Sequence, residues 1–109
     1  MDNISLQLKE LFNRIPRRHS TDNVKDINTI IIEYEDVLIS IEAVNSFYEK
    51  NISSFFDDAA GAQSAIKKST DSKASKKNKD GFFDEGSGIL KESIQAVIEL
   101  YADGKRTSQ

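Results

Sequence analysis

Residues 24–59, VKDINTIIIEYEDVLISIEAVNSFYEKNISSFFDDA, carry the pattern that decides the fold. Val24, Ile27, Ile31, Tyr34, Leu38, Ile41, Tyr48, Ile52, Phe55 and Ala59 advance by alternating steps of three and four, and Asn45 is the one polar member of the series. Such spacing keeps side chains on one face of an α-helix, so the stripe predicts a helix with a heptad seam sustained over five repeats. Ile30, Val37 and Val44 form a second column beside it, and Phe47 and Phe56 widen the apolar face. A face this broad exceeds a simple two-stranded seam and needs cover from two neighbours or more. Asp26, Glu33, Glu35, Asp36, Glu42 and Glu49 occupy the opposite side as a hydrated acidic face. A single helix over 23–57 is expected, about 50 Å long at 1.5 Å per residue.

The β-branched content of residues 29–41 raises a strand as the rival reading. Alternation with period two fails there, because Ile30, Ile31 and Ile32 are consecutive and residues 33–36 hold one apolar side chain. Helix is therefore preferred, held by tertiary packing more than by intrinsic propensity.

Upstream, Ile4, Leu8, Leu11, Phe12 and Ile15 recur at helical intervals, and Pro16 ends this first helix because it has no amide hydrogen and biases Ile15 away from helical geometry. Ser20, Thr21 and Asp22 are successive candidates to cap the helix that follows. Downstream, residues 57–61 form a weak break, and Ala59, Ala62, Ala65 and Ile66 a small-residue face that permits close approach of a neighbour. Residues 67–81 contain one apolar side chain in fifteen and read as a flexible polar segment. Ser87 is then a plausible cap for a last helix over 88–102, whose face is Ile89, Leu90, Ile94, Val97, Ile98 and Tyr101, with Gly104 as its stop.

The expected fold is all-α: one domain over 1–109, a small bundle of three to four helices around one long central helix. The alternative is an extended hairpin completed by dimerisation. Hydrophobic residues at 38% and charged residues at 30% place the 109-residue chain among folded proteins, and its mass of 12.2 kDa allows only a modest core. That favours docking to a second copy or to an obligate protein partner. The absence of cysteine excludes disulfides, thiolate metal sites and a thiol nucleophile. No apolar run exceeds three residues, so no membrane span is expected, and a cytoplasmic protein is the default.

The net charge of −3 is unevenly spread: +2 over residues 1–20, −7 over 21–60, +4 over 61–80 and −2 over 81–109. Lys67, Lys68, Lys73, Lys76, Lys77 and Lys79 make a basic segment with no interleaved aromatic residue, diluted by Asp71 and Asp80. It is a candidate nucleic-acid contact through delocalised charge, or a solubilising surface.

His19 is the sole histidine, so one chain cannot build a multi-histidine metal site. With Arg14 it forms Arg14-Ile15-Pro16-Arg17-Arg18-His19, which resembles the Arg-x4-6-His signature of the HEPN ribonucleases, a family of small helical domains. The resemblance spans six residues and implies His19 as the group that moves the 2′-hydroxyl proton, with Arg14 stabilising phosphorane charge. Pro16 and a position after the first helix depart from that family's pattern. No nucleophile elbow, P-loop or dinucleotide-binding glycine turn is present.

The chain is therefore expected to be a non-catalytic interaction module, an adaptor, regulator or inhibitor acting by helix packing, without a cofactor. The alternatives are a nucleic-acid-binding accessory protein using residues 67–79 and a HEPN-like ribonuclease using Arg14 and His19. The residues expected to bind a partner are Asn45, Tyr48, Ile52, Phe55, Phe82 and Phe83. Asn45 at a core-facing position would set register, and the adjacent phenylalanines would anchor a mobile arm or close the protein's own core.

Overall fold

The computed structural model describes residues 3–44 and 49–107, and these form four helices with no strand: α1 (Asn3–Arg14), α2 (Thr21–Val44), α3 (Glu49–Lys68) and α4 (Lys76–Thr107). The helices follow an up-down-up-down course. Arg14 meets Glu33, while Gln7 and Leu11 share a cleft with Val37 and Ser40, so α1 runs antiparallel to α2. Thr21 and Val24 share a cavity with Ser69 and Thr70, which sets α3 antiparallel to α2. Ile66 abuts Gly86 and Lys68 lies over Phe82, which returns α4 alongside α3. Phe12 sits against Gln95, Ala96 and Glu99, closing the square between α1 and α4.

The apolar face read from the sequence is the core face. Ile27, Ile30, Ile31, Tyr34, Val37, Leu38 and Ile41 of α2 are buried with Leu8, Leu11 and Ile15, with Ile52, Ala59, Ala62 and Ile66 of α3, and with Phe83, Leu90, Ile94 and Val97 of α4. The bundle is a rod of 52 × 24 × 17 Å. Its accessible surface of 6901 Å² exceeds the roughly 6,000 Å² of a compact chain of this mass, as an elongated shape requires.

Several boundaries differ from the sequence reading. The single helix expected over 23–57 is two helices, α2 and α3, packed side by side. A heptad stripe states which face is buried but not what buries it, so the same series satisfies one long helix or two that fold back on each other. The polar segment expected over 67–81 narrows to residues 69–75 outside any helix. There Ser75 begins α4: its hydroxyl accepts the Asn78 amide at 3.1 Å and its carbonyl the Lys79 amide at 2.9 Å. Gly81, Gly86, Gly88 and Gly104 all lie inside α4, the longest helix at 32 residues, and residues 57–61 lie inside α3. Helical glycine costs roughly 1 kcal/mol relative to alanine, which packing against α3 offsets.

The joint between α1 and α2 follows its sequence cues. Arg14 is level with Asp26, Thr29 and Ile30, about 8–14 Å along the axis from the start of α2 at the helical rise. Residues 15–20 cover that distance, and Ile15, 7% exposed, joins the core. Of the three candidate caps Ser20 is used, its hydroxyl accepting the Asn23 amide at 3.1 Å. The Asn23 side-chain amide donates to the Arg18 carbonyl at 2.7 Å and ties the joint to α2.

Candidate functional site

Two regions of the surface gather chemistry. The first is the end of the bundle where the joint, the start of α2, the α3–α4 turn and the start of α4 meet. His19 Nδ1 lies 2.9 Å from Asp80 Oδ1, and the other carboxylate oxygen accepts from Lys76 Nζ at 3.0 Å. Lys76 first and His19 second hold the Asp80 carboxyl below its ordinary range. The imidazole packs over Phe83, with ring centroids 5.5 Å apart at a 45° tilt. Beside this group opens a cavity of about 430 Å³ lined by His19, Ser20, Thr21, Val24, Lys25, Ser69, Thr70 and Lys79.

The second region is the outer face of α2. Ile32 and Ile39 are 56% and 55% exposed, while every other isoleucine described on this helix is buried. Seven residues apart, they project on one stripe about 10 Å from each other. Glu35, Asp36 and Lys25 lie near this stripe by helical position. Leu6 on α1 is exposed too, at 51%.

The residues singled out in the sequence are dispersed. Arg14 and His19 engage different helices: the Arg14 guanidinium forks onto Glu33 of α2 at 3.2 and 2.9 Å, and His19 pairs with Asp80 of α4. The hydrogen bond from Arg14 to Glu33, assisted by the charge of Glu33 and Glu10, raises the guanidinium pKa and keeps it charged. Ile52 and Phe83 are buried in the chain's own core, so they reach a partner only if the bundle opens. Phe55 is half-buried against that core. Phe82 is half-buried beneath the Lys68 ammonium, 5.9 Å from its ring centre. Asn45 and Tyr48 lie outside the described residues.

Of the basic segment, Lys67, Lys68, Lys73, Lys76 and Lys77 are exposed and Lys79 is half-buried at the rim of the cavity. The cleft between α1 and α2, about 350 Å³, carries Glu10, Glu33 and Asp36, of which Glu33 is engaged by Arg14. Among the described residues there is no group of three His, Asp or Glu side chains arranged to hold a metal, and no buried side-chain nitrogen or oxygen lacks a hydrogen-bond partner. No described helix is long and apolar enough to cross a membrane.

Sequence reasoning missed the pairing of His19 with Asp80, because 61 residues separate them. It also missed Ile32 and Ile39, although a signal was there: both fall outside the two buried columns and repeat at seven. These features define a small all-α bundle of four helices with a basic cavity at one end and an apolar stripe on one outer helix face. The chain matches no protein-family model, and comparison with curated proteins and with solved structures finds none similar to it.

Proposed function

We propose that this protein is a non-catalytic interaction module that docks a helix of another protein on the outer face of α2. The observation that carries the reading is the exposure of Ile32 and Ile39 one heptad apart on a helix whose other described isoleucines are buried. Full burial of an isoleucine contributes roughly 1.5–3 kcal/mol, so covering the exposed half of two such side chains is a useful share of a docking energy.

Charge selects the occupant. Between Thr21 and Val44, Asp22, Asp26, Glu33, Glu35, Asp36 and Glu42 stand against Lys25 alone. Two-fold pairing of α2 with its own copy would set Glu35 and Asp36 against their equivalents, which is repulsive. A partner helix with an apolar stripe and basic flanks meets both the isoleucines and the carboxylates.

The test is a double substitution, Ile32→Ser with Ile39→Ser. At exposed positions it should change stability by no more than about 0.5 kcal/mol per site. A partner isolated from the native source should bind the purified wild-type chain, weaken as salt is raised, and lose binding to the variant while circular dichroism stays helical. Retention of that partner by the double variant removes α2 as the docking face.

A further inference from the structure

We infer that the cavity at the joined ends of α2, α3 and α4 binds the phosphate of a small phosphomonoester. This is independent of the helix-docking reading, since neither Ile32 nor Ile39 lines the cavity.

The lining is the reason. Eight side chains from three separate segments contribute two lysines, a histidine, four hydroxyls and Val24, and no carboxylate. That composition is unusual on a chain with 18 acidic residues and a net charge of −3. The neighbouring carboxylates are otherwise engaged: Asp80 holds Lys76 and His19, and Asp71 accepts the Lys73 amide at 2.9 Å. Asp22 lies in the first turn of α2 and does not line the cavity.

The donors divide cleanly. Among the described residues Lys25 and Lys79 make no ion pair, so both lysines of the lining lack a carboxylate partner. Ser69 and Thr70 donate their hydroxyl protons to the Ile66 and Lys67 carbonyls. Ser20 uses its oxygen as the cap and keeps its proton, and the Thr21 hydroxyl makes no hydrogen bond among the described residues. His19 is held in place by Asp80 and Phe83. Two lysines and two residues with hydroxyl protons to donate, all lining one concavity, suit the several acceptor oxygens of a phosphate dianion.

The size and the apolar wall narrow the class further. About 430 Å³ exceeds what phosphate alone fills and falls in the range of small-molecule sites. Val24 and the lysine stems offer contact to a compact organic group, so a phosphomonoester with a small apolar or aromatic substituent fits better than inorganic phosphate.

Titration of the ¹⁵N-labelled chain with inorganic phosphate and with phenyl phosphate tests this. Saturable amide shifts are expected at Ser20, Thr21, Lys25, Thr70 and Lys79, with phenyl phosphate the tighter ligand and a dissociation constant on the order of 1 mM. Lys25→Ala with Lys79→Ala should weaken binding about tenfold or more, each lysine losing a charge-assisted contact. Lys67→Ala with Lys73→Ala, which removes equal charge outside the cavity, should leave affinity within about twofold. Shifts that do not saturate, or equal losses in the two double variants, overturn the site in favour of diffuse attraction. An oligonucleotide without a terminal phosphate that binds as tightly as phenyl phosphate overturns it in favour of a nucleic-acid surface.

Discussion

The Tyr34 hydroxyl lies 2.5 Å from the Ser93 hydroxyl across the diagonal of the bundle, joining α2 to α4 inside the core. Tyr34 is fully buried and Ser93 nearly so, and each satisfies the other where water does not reach. A pair of this kind costs little when intact and much when halved.

Tyr34→Phe should therefore destabilise the fold by about 1–2 kcal/mol in urea unfolding, because the Ser93 hydroxyl is left unpaired. Adding Ser93→Ala should recover part of the loss, and a double variant no better than the sum of the singles would show that the two hydroxyls act independently.

The same tyrosine predicts an alkaline limit. Burial pushes its phenol pKa well above the ordinary value, with the Ser93 hydrogen bond opposing that shift. Because the folded pKa lies above the unfolded one, the stability linked to the protonated phenol is complete below about pH 10 and is lost as pH rises further. Unfolding free energy should fall by up to about 1.4 kcal/mol per unit above that point, and less steeply in Tyr34→Phe.

Glycines within the helices should respond in opposite directions. A Cβ at Gly86 would stand 2.7 Å from Ile66 Cδ1 and 3.0 Å from the Ala62 carbonyl oxygen, whereas one at Gly61 or Gly81 meets nothing within 4 Å. Gly61→Ala and Gly81→Ala should each stabilise by about 0.5–1 kcal/mol through helix propensity. Gly86→Ala gains the same amount but forces α3 and α4 apart at a buried isoleucine, an overpacking cost of about 1–3 kcal/mol. Thermal unfolding should show its midpoint lowered; a rise equal to that of Gly61→Ala would mean the two helices yield at this point.

The adjacent phenylalanines separate in the same assay. Phe83 is fully buried under His19, so Phe83→Ala should cost about 3–5 kcal/mol. Phe82 is half-buried beneath one lysine, and Phe82→Ala should cost about 1 kcal/mol. Equal losses would place both rings in the core.

Acid should act through Asp80. Its carboxyl pKa is lowered by Lys76 and by His19, so the stabilisation is present above the ordinary carboxylate value and is lost as pH falls through the lower folded value. The melting temperatures of wild type and Asp80→Asn should differ at pH 6 and converge as pH falls well below the ordinary carboxylate value. A difference that persists at the acid end would assign the effect of the substitution to packing instead.

Local physics in the chain determined much of this protein. The three-and-four spacing of Ile27, Ile31, Tyr34, Leu38 and Ile41 named the buried face of α2, Pro16 ended α1, and a cap was marked at residues 20–22. Each rests on interactions within a turn or two of helix, which a linear reading reaches. The reversal between α2 and α3 was not legible, because the apolar stripe holds its register from Ile41 to Ile52 and no Gly or Pro marks residues 45–48. Tertiary structure alone decided that α3 folds back on α2, that Gly86 is where α3 and α4 touch, that Phe83 rather than Phe82 enters the core, and that His19 finds Asp80 61 residues away. It also decided that Ile32 and Ile39 stay uncovered and that Lys25 and Lys79 open on one cavity. Periodicity reports which side chains avoid water, whereas the identity of what covers them depends on contacts between distant segments, whose free energy appears only once the helices have packed.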